Sequence, residues 1–186
     1  MSLSVCTAEP PCGREPAAVR PLAGLLRQLS DLIETLTDDE YTRAPVGVVE
    51  SSIGGHVRHA LDHIAALLRG LPTGRLSYDR RDRGTDVERD RRAALEAVRR
   101  LEAELLAFEW AALPRPVALE SLVSPDRPPA LALTSPEREL AFVLGHTVHH
   151  NALIRVAVKL LGADVPADFG YAPSTLAHRT GRPCVR

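Results

Sequence analysis

The stretch SPERELAFVLGHTVHHNALIRVAVKLL, residues 135–161, decides the fold expected for this chain. It opens with a helix-start signal, because Ser135 can cap a helix, Pro136 suits the first helical position and Glu137 places negative charge in the first turn. Apolar residues then recur at helical spacing to the end of the stretch, and Gly162 follows as a stop signal. We therefore predict a long amphipathic helix around which the rest of the chain packs.

Three other segments carry apolar residues at the spacing of an amphipathic helix. They run over residues 17–36, from a serine cap at residue 51 or 52 to residue 69 with Gly70 as the stop, and from residue 85 or 86 to residue 108. Segments 116–123 and 129–133 are predicted to form a small hairpin between the third and fourth helices. Four long helices without a repeat or a convincing larger sheet predict an all-α four-helix bundle.

The remaining segments are expected to lie outside the bundle core. Residues 71–84 are polar and broken by glycine and proline, so they are predicted to form a crossover. Residues 1–15 are predicted to be a disordered lead-in, residues 16–176 the bundle and residues 177–186 a tail, with the segment 169–175 folding back as ordered coil. Residues 37–40 could begin one further helical turn.

Composition limits the classes of partner. Hydrophobic residues make up 45% of the chain and aromatic residues only 4%, so the core must consist mainly of aliphatic side chains. The formal net charge of −1 provides no field for nucleic acid or an anionic membrane. Because the sequence shows neither a membrane-spanning run nor a signal-peptide pattern, a cytoplasmic location is expected. Cys6, Cys12 and Cys184 match neither a disulfide framework nor a zinc ribbon and are interpreted as free thiols.

Six of the seven histidines fall in two of the predicted helices. His146 and His150 are four residues apart, so they share one helix face, and they lie near the centre of the apolar stripe. A buried polar group without a partner costs roughly 1–3 kcal/mol, and coordination of one metal ion would satisfy both imidazoles. The H-x-x-x-H pair therefore predicts two ligands of a metal site, unless the two rings are satisfied by hydrogen bonds in the core.

The second predicted helix offers a third ligand. His56 lies nearest its capped, glycine-rich start, where small residues leave room for a ligand, so we predict a site on His56, His146 and His150 that keeps an open position. His59 and His63 are expected to hydrogen-bond to the ligand histidines or to lie at the surface.

Several other polar residues are candidates for roles beside the metal. Glu139 lies two turns before His146 on the same face and could be a fourth ligand, a base, or an acid favoured by the helix dipole. His149 could move protons. Tyr78, Arg81 and Arg83 belong to a mixed-charge run that is either a solvated loop or a group that holds an anionic substrate over the metal.

Three of these motifs together resemble the DinB-like (DinB/YfiT) superfamily. They are SSIGGHVRH at residues 51–59, YDRRDR at 78–83 and RELAFVLGHTVHH at 138–150, and the resemblance extends over roughly residues 22–175. It implies a four-helix bundle with up-down-down-up topology, often a homodimer, that holds a zinc or nickel ion on three histidines. Position by position, these ligands correspond to His56, His146 and His150.

The resemblance also implies a class of chemistry, because relatives include metal-dependent thiol transferases that use bacillithiol, mycothiol or glutathione, and a maleylpyruvate isomerase. We therefore expect a divalent-metal-dependent enzyme, a thiol transferase or a hydrolase, that acts on a small-molecule substrate with a low-molecular-weight thiol as cosubstrate. Two alternatives remain open. One is a non-catalytic metal-binding or stress-response bundle with a structural ion, and the other is a helical interaction module whose histidines are incidental.

Overall fold

The computed structural model describes residues 15–45, 47, 50–80 and 85–181. Six α-helices and three strands occur in this part of the chain. The helices are α1 (Val19–Thr35), α2 (Asp38–Thr42), α3 (Ile53–Gly70), α4 (Arg91–Ala107), α5 (Pro136–Leu160) and α6 (Pro173–Arg179). The strands are β1 (Arg75–Ser77), β2 (Val117–Ser121) and β3 (Ala130–Thr134), and two 3-10 helices span Leu71–Thr73 and Asp86–Glu88.

The four long helices pack against one another around an aliphatic core. Both α1 and α3 contact α4 and α5, so each long helix has two long neighbours. Leucine, isoleucine, valine and alanine supply most of the buried side chains, and the aromatic members of the core are Tyr41, Trp110 and Phe169. The prediction of an all-α fold is confirmed in part, because the described residues are mostly helical but include a small three-stranded sheet; the exact four-helix-bundle topology and its up-down-down-up order stay predictions.

Capping side chains mark the start of three of the four long helices, α3, α4 and α5. Ser135 Oγ accepts a hydrogen bond from the Arg138 amide, and the helix α5 ends before Gly162, whose φ is +81°. Ser52 caps α3 in the same way. The third long helix starts later than predicted, because Asp90 is the residue that caps α4 and the segment 86–88 forms a separate 3-10 helix.

The prediction that residues 71–84 are too polar for the core was wrong in part. Leu71 and Leu76 are buried, and β1 lies in this segment and pairs in parallel with β2. The predicted hairpin is present as the antiparallel pair of β2 and β3. The strand β1 was not predicted, because a strand of three residues is too short to show an alternating pattern. Residues 81–84 lie outside the described part of the chain.

The segment after α5 folds back onto that helix. Phe169 is buried, and Arg155 Nη1 donates hydrogen bonds of 2.9 Å to the carbonyls of Pro166 and Phe169. The segment 169–175 was predicted as coil, but its last residues begin α6 at Pro173, a proline at the first helical position. Within the described residues, no helix is both long and apolar enough to cross a membrane. Most of the predicted lead-in, the end of the tail and all three cysteines lie outside the described residues.

Candidate metal centre

Packing of α3 against α5 brings the three histidines of each helix together. The shortest separations between ring centroids are 3.9 Å for His63 and His146, and 4.6 Å for the pairs His59–His150 and His146–His150. His56 joins the cluster through a contact with His150, and His149 lies at its edge, 5.3 Å from His150. The prediction that α3 and α5 share a histidine site therefore agrees with the geometry.

His59, His146 and His150 form a group that could hold a metal ion. One ligand atom from each lies within 4.8 Å of the other two. Ligand nitrogens of a tetrahedral ion with bonds of about 2.0–2.1 Å stand roughly 3.4 Å apart, so small side-chain rotations would close the group around an ion. His150 is buried, whereas His59 and His146 are half-buried. The donor set fits a divalent metal.

His56, the predicted third ligand, contacts this group through His150. The two Nδ1 atoms are 3.3 Å apart, a distance at which one ring donates and the other accepts. His56 Nε2 is buried and has no hydrogen-bond partner among the described residues. The structure thus places His56 beside a candidate ligand, while its role as a ligand itself stays a prediction.

The environment of the cluster favours neutral imidazoles. Burial lowers the pKa of His56, and nearby His149 adds to the effect. Burial also lowers the pKa of His150 to about 3, helped by the neighbouring His146 and His59. Neutral imidazole is the form that binds metal, so these two rings need not lose a proton before they coordinate an ion at neutral pH.

His63 extends the cluster toward β1. Its Nδ1 lies 3.0 Å from the carbonyl oxygen of His59, and because a carbonyl can only accept, this nitrogen carries the proton. The ring stacks on Tyr78 with centroids 5.1 Å apart and an interplanar angle of 12°. Tyr78 in turn lies 5.2 Å from Phe142, so an aromatic wall stands beside the histidines.

Glu139 is fully buried and holds this wall in place. Its carboxylate accepts hydrogen bonds from the Tyr78 hydroxyl at 2.9 Å, Thr134 Oγ1 at 2.7 Å and Arg138 Nη1 at 2.8 Å. Burial, together with the negative charge of Glu139, raises the pKa of Tyr78. The structure therefore gives Glu139 a positioning contact with Tyr78, and the predicted catalytic role of Glu139 stays untested. Arg81 and Arg83, the other predicted substrate-binding residues, lie outside the described residues.

The buried stripe of α5 is shifted from its predicted centre. The apolar residues Leu153 and Leu161 are only half-buried, whereas Thr147 and Asn151 are fully buried. Sequence reasoning missed these two because it counted only apolar residues, and Thr147 is satisfied locally by its bond to the Val143 carbonyl. The shift explains why His150 is buried and His146 is not.

The 3-10 helix at 86–88 packs against the start of α3, near His56 and His59. Tyr41 donates a hydrogen bond of 2.7 Å to the Val87 carbonyl, and Arg58 bonds to Glu88 at 2.9 Å. A Cβ atom at Gly54 would lie 2.2 Å from the Glu88 carbonyl oxygen, so only glycine permits this approach. The close approach at Gly54 and the bond from Arg58 to Glu88 hold the start of α3, which carries His56 and His59, against the segment 86–88.

Comparisons with known proteins agree with this architecture. The sequence model of the DinB superfamily matches residues 22–154, and the chain belongs to that superfamily. A protein named FK506-binding protein 5, from Rhizopus delemar, is 34% identical over 157 residues, which cover 83% of this chain and 36% of that protein. This chain therefore spans about a third of the length of that curated relative.

A solved structure also shares the fold. The crystal structure of a DinB-like protein, YjoA, from Bacillus subtilis superposes with a TM-score of 0.56 at 18% identity. The match covers 80% of this chain and 95% of that chain. At this identity the likeness concerns the fold alone, and the chemistry must be argued from the histidine cluster.

Proposed function

We propose that this chain is a divalent-metal-dependent enzyme that acts with a low-molecular-weight thiol, in the manner of a thiol S-transferase. The observation that carries the proposal is the convergence of His59, His146 and His150 between α3 and α5. Membership in the DinB superfamily, whose members bind metal, supports it. In this proposal His59 is the third ligand, and His56 is the partner that fixes the ring orientation of His150.

Three neutral imidazoles leave a bound zinc or nickel ion its positive charge and an open position, so that a coordinated thiol or water would lose its proton near neutral pH. In this proposal a substrate would reach that position past the half-buried side chain of His59. Because imidazole ligands also suit other transition metals, elemental analysis is needed to identify the metal.

The residues around the group would bind and orient the second substrate. Tyr78 and Phe142 offer an apolar wall, and Phe142 is exposed enough to meet a ligand. His149 is exposed beside His150 and would accept the thiol proton. Arg81 or Arg83 would bind a substrate carboxylate. A homodimer, a cytoplasmic location and the up-down-down-up helix order belong to the same proposal.

Cobalt substitution tests the thiol step. Full-length protein loaded with Co²⁺ is titrated with glutathione and with cysteine, and we expect a sulfur-to-cobalt charge-transfer band. The same samples are then assayed with monochlorobimane, where a sulfur–carbon bond forms, chloride leaves and the thiol proton is released. A rate above the spontaneous one, retained in His178→Ala and lost in His146→Ala, would support the proposal, because His178 is exposed on α6 outside the cluster.

The alternative function is a structural metal site. The burial of His56 and His150 between α3 and α5 favours it, since an ion there would tie the two helices together. In that case Co²⁺ stabilises the fold, but neither thiol changes the spectrum and monochlorobimane reacts only at the spontaneous rate. That result would refute the enzymatic proposal.

A further inference from the structure

A second candidate site lies outside the histidine cluster. A cavity of about 360 Å³ opens between the C-terminal end of α3 and one face of the sheet. Its polar lining consists mainly of Arg69, Arg75, Ser77, Arg80 and Glu120. None of the six clustered histidines lines it.

The strand register explains how this lining arises. Ser77 in β1 pairs with Glu120 in β2, and Glu120 pairs with Leu131 in β3, so the three side chains project from the same face of the sheet. Arg75, two residues before Ser77, shares that face. The next residue, Tyr78, contacts His63 instead. Cavity and histidine cluster are thus neighbouring but separate places.

The charges lining the cavity do not cancel. Arg80 is paired with Glu120, with an Nη2–Oε1 distance of 2.9 Å. Arg69 and Arg75 also line the cavity and are exposed, and neither forms an ion pair with the residues that the structure describes. Three arginines and one glutamate therefore line the cavity, and the net positive charge of this lining favours an anion.

The remaining lining is apolar. Ala66 and Leu76 are buried where the cavity meets the core, whereas Ala118, which pairs with Arg75, and the largely exposed Leu131 lie on the sheet face of the cavity. A ligand that uses the whole cavity would carry its negative charge at one end and hydrocarbon at the other. The volume falls within the range of small-molecule sites, roughly 300–1,000 Å³.

We propose that this cavity binds a small organic acid, with its carboxylate on Arg69 and Arg75 and its apolar body against Ala118 and Leu131. The planar guanidinium matches a carboxylate through two parallel hydrogen bonds. Inorganic phosphate matches the charge but has no apolar part, so it would leave the walls unused. The proposal does not depend on the metal centre, because the two sites share no residue.

Binding of hexanoate tests the proposal, with hexanol and inorganic phosphate as comparison probes. Titration of the full-length protein is followed by calorimetry and by amide chemical shifts. We expect hexanoate to bind, hexanol to bind at least tenfold more weakly, and phosphate to bind more weakly than hexanoate. Arg75→Gln and Arg69→Gln should each lower the affinity for hexanoate about tenfold, because one charge-assisted hydrogen bond is worth about that factor.

Arg92→Gln is the matched control, since Arg92 is exposed on α4 and does not line the cavity. It should bind hexanoate like the unaltered protein, and so should His146→Ala, which separates this site from the metal centre. The proposal is overturned if hexanoate does not bind, if it binds equally to Arg75→Gln and Arg92→Gln, or if phosphate binds more tightly than hexanoate.

Discussion

Replacement of Gly54 by alanine should destabilise the protein, although alanine is the better helix former. The added Cβ would lie 2.2 Å from the Glu88 carbonyl oxygen, whereas ordinary contact begins at 3.4 Å, so the segment 86–88 must move by about 1.2 Å. That movement also stretches the hydrogen bond from Tyr41 to Val87. Overpacking of this kind costs about 1–3 kcal/mol and a weakened hydrogen bond about 1 kcal/mol, against a gain of about 1 kcal/mol in helix propensity.

The expected net loss is about 2 kcal/mol in the free energy of unfolding, or roughly 4–8 °C in Tm for a chain of this size. Urea denaturation and thermal melting followed by circular dichroism measure both quantities. Gly24→Ala is the matched control, because a Cβ at Gly24 in α1 meets no atom within 4 Å and should stabilise the protein by about 0.5–1 kcal/mol. If Gly54→Ala stabilises the protein as Gly24→Ala does, the described approach of segment 86–88 to α3 is wrong.

Three further outcomes follow from the contacts around the site. The pKa of His150 is about 3 in the fold against 6.5 unfolded, so the unfolded chain takes up this proton first as the pH falls, and the Tm of the metal-free protein should drop between pH 6.5 and pH 3. A Tm that is constant over that range would contradict this. Tyr78→Phe removes one hydrogen bond from the buried Glu139 carboxylate and should cost about 1.5–3 kcal/mol in urea denaturation; an unchanged midpoint would show that the bond does not form. Arg155→Met removes the donor that holds the carbonyls of Pro166 and Phe169, so limited proteolysis should cleave the segment after α5 faster than in the unaltered protein. Equal cleavage rates would refute that role for Arg155.

The long helices were predictable because each carries apolar residues at helical spacing, and α3 and α5 also carry boundary signals. Ser135 and Gly162 bracket α5 in the sequence and cap it in the structure. The start of α4 was missed because Thr85 and Asp90 are both acceptable caps, and sequence alone does not show that segment 86–88 packs against Gly54. Packing of the segment 86–88 against α3 therefore accounts for the start of α4 after Asp90 rather than after Thr85.

The histidine site was predictable as a cluster but not atom by atom. Spacing four apart put His146 and His150 on one face, and a third ligand was expected from the glycine-rich start of the second predicted helix, at His56. Which α3 histidine can share an ion with both His146 and His150 depends on the rotation and axial offset of α3 against α5, and a difference of three residues is less than one turn. His59 rather than His56 therefore joins the group through helix packing, which the periodicity of either helix does not fix.

The contact between Glu139 and Tyr78 lay beyond sequence reasoning for a related reason. The two residues are 61 positions apart, and β1, which positions Tyr78, was too short to be recognised. Glu139 could be seen as an acid in the first turn of a helix, but its burial depends on the hydroxyl of Thr134 at the end of β3. Contacts of this kind are set by the pairing of distant strands.

The metal content of purified full-length variants tests the central claim most directly. Elemental analysis should find about one equivalent of zinc or nickel per chain in the unaltered protein and in His178→Ala, whose histidine is exposed on α6. His59→Ala and the double variant His146→Ala/His150→Ala should lose the metal, whereas His56→Ala should retain at least part of it. Equal metal in the unaltered protein, His59→Ala and the double variant would contradict the account.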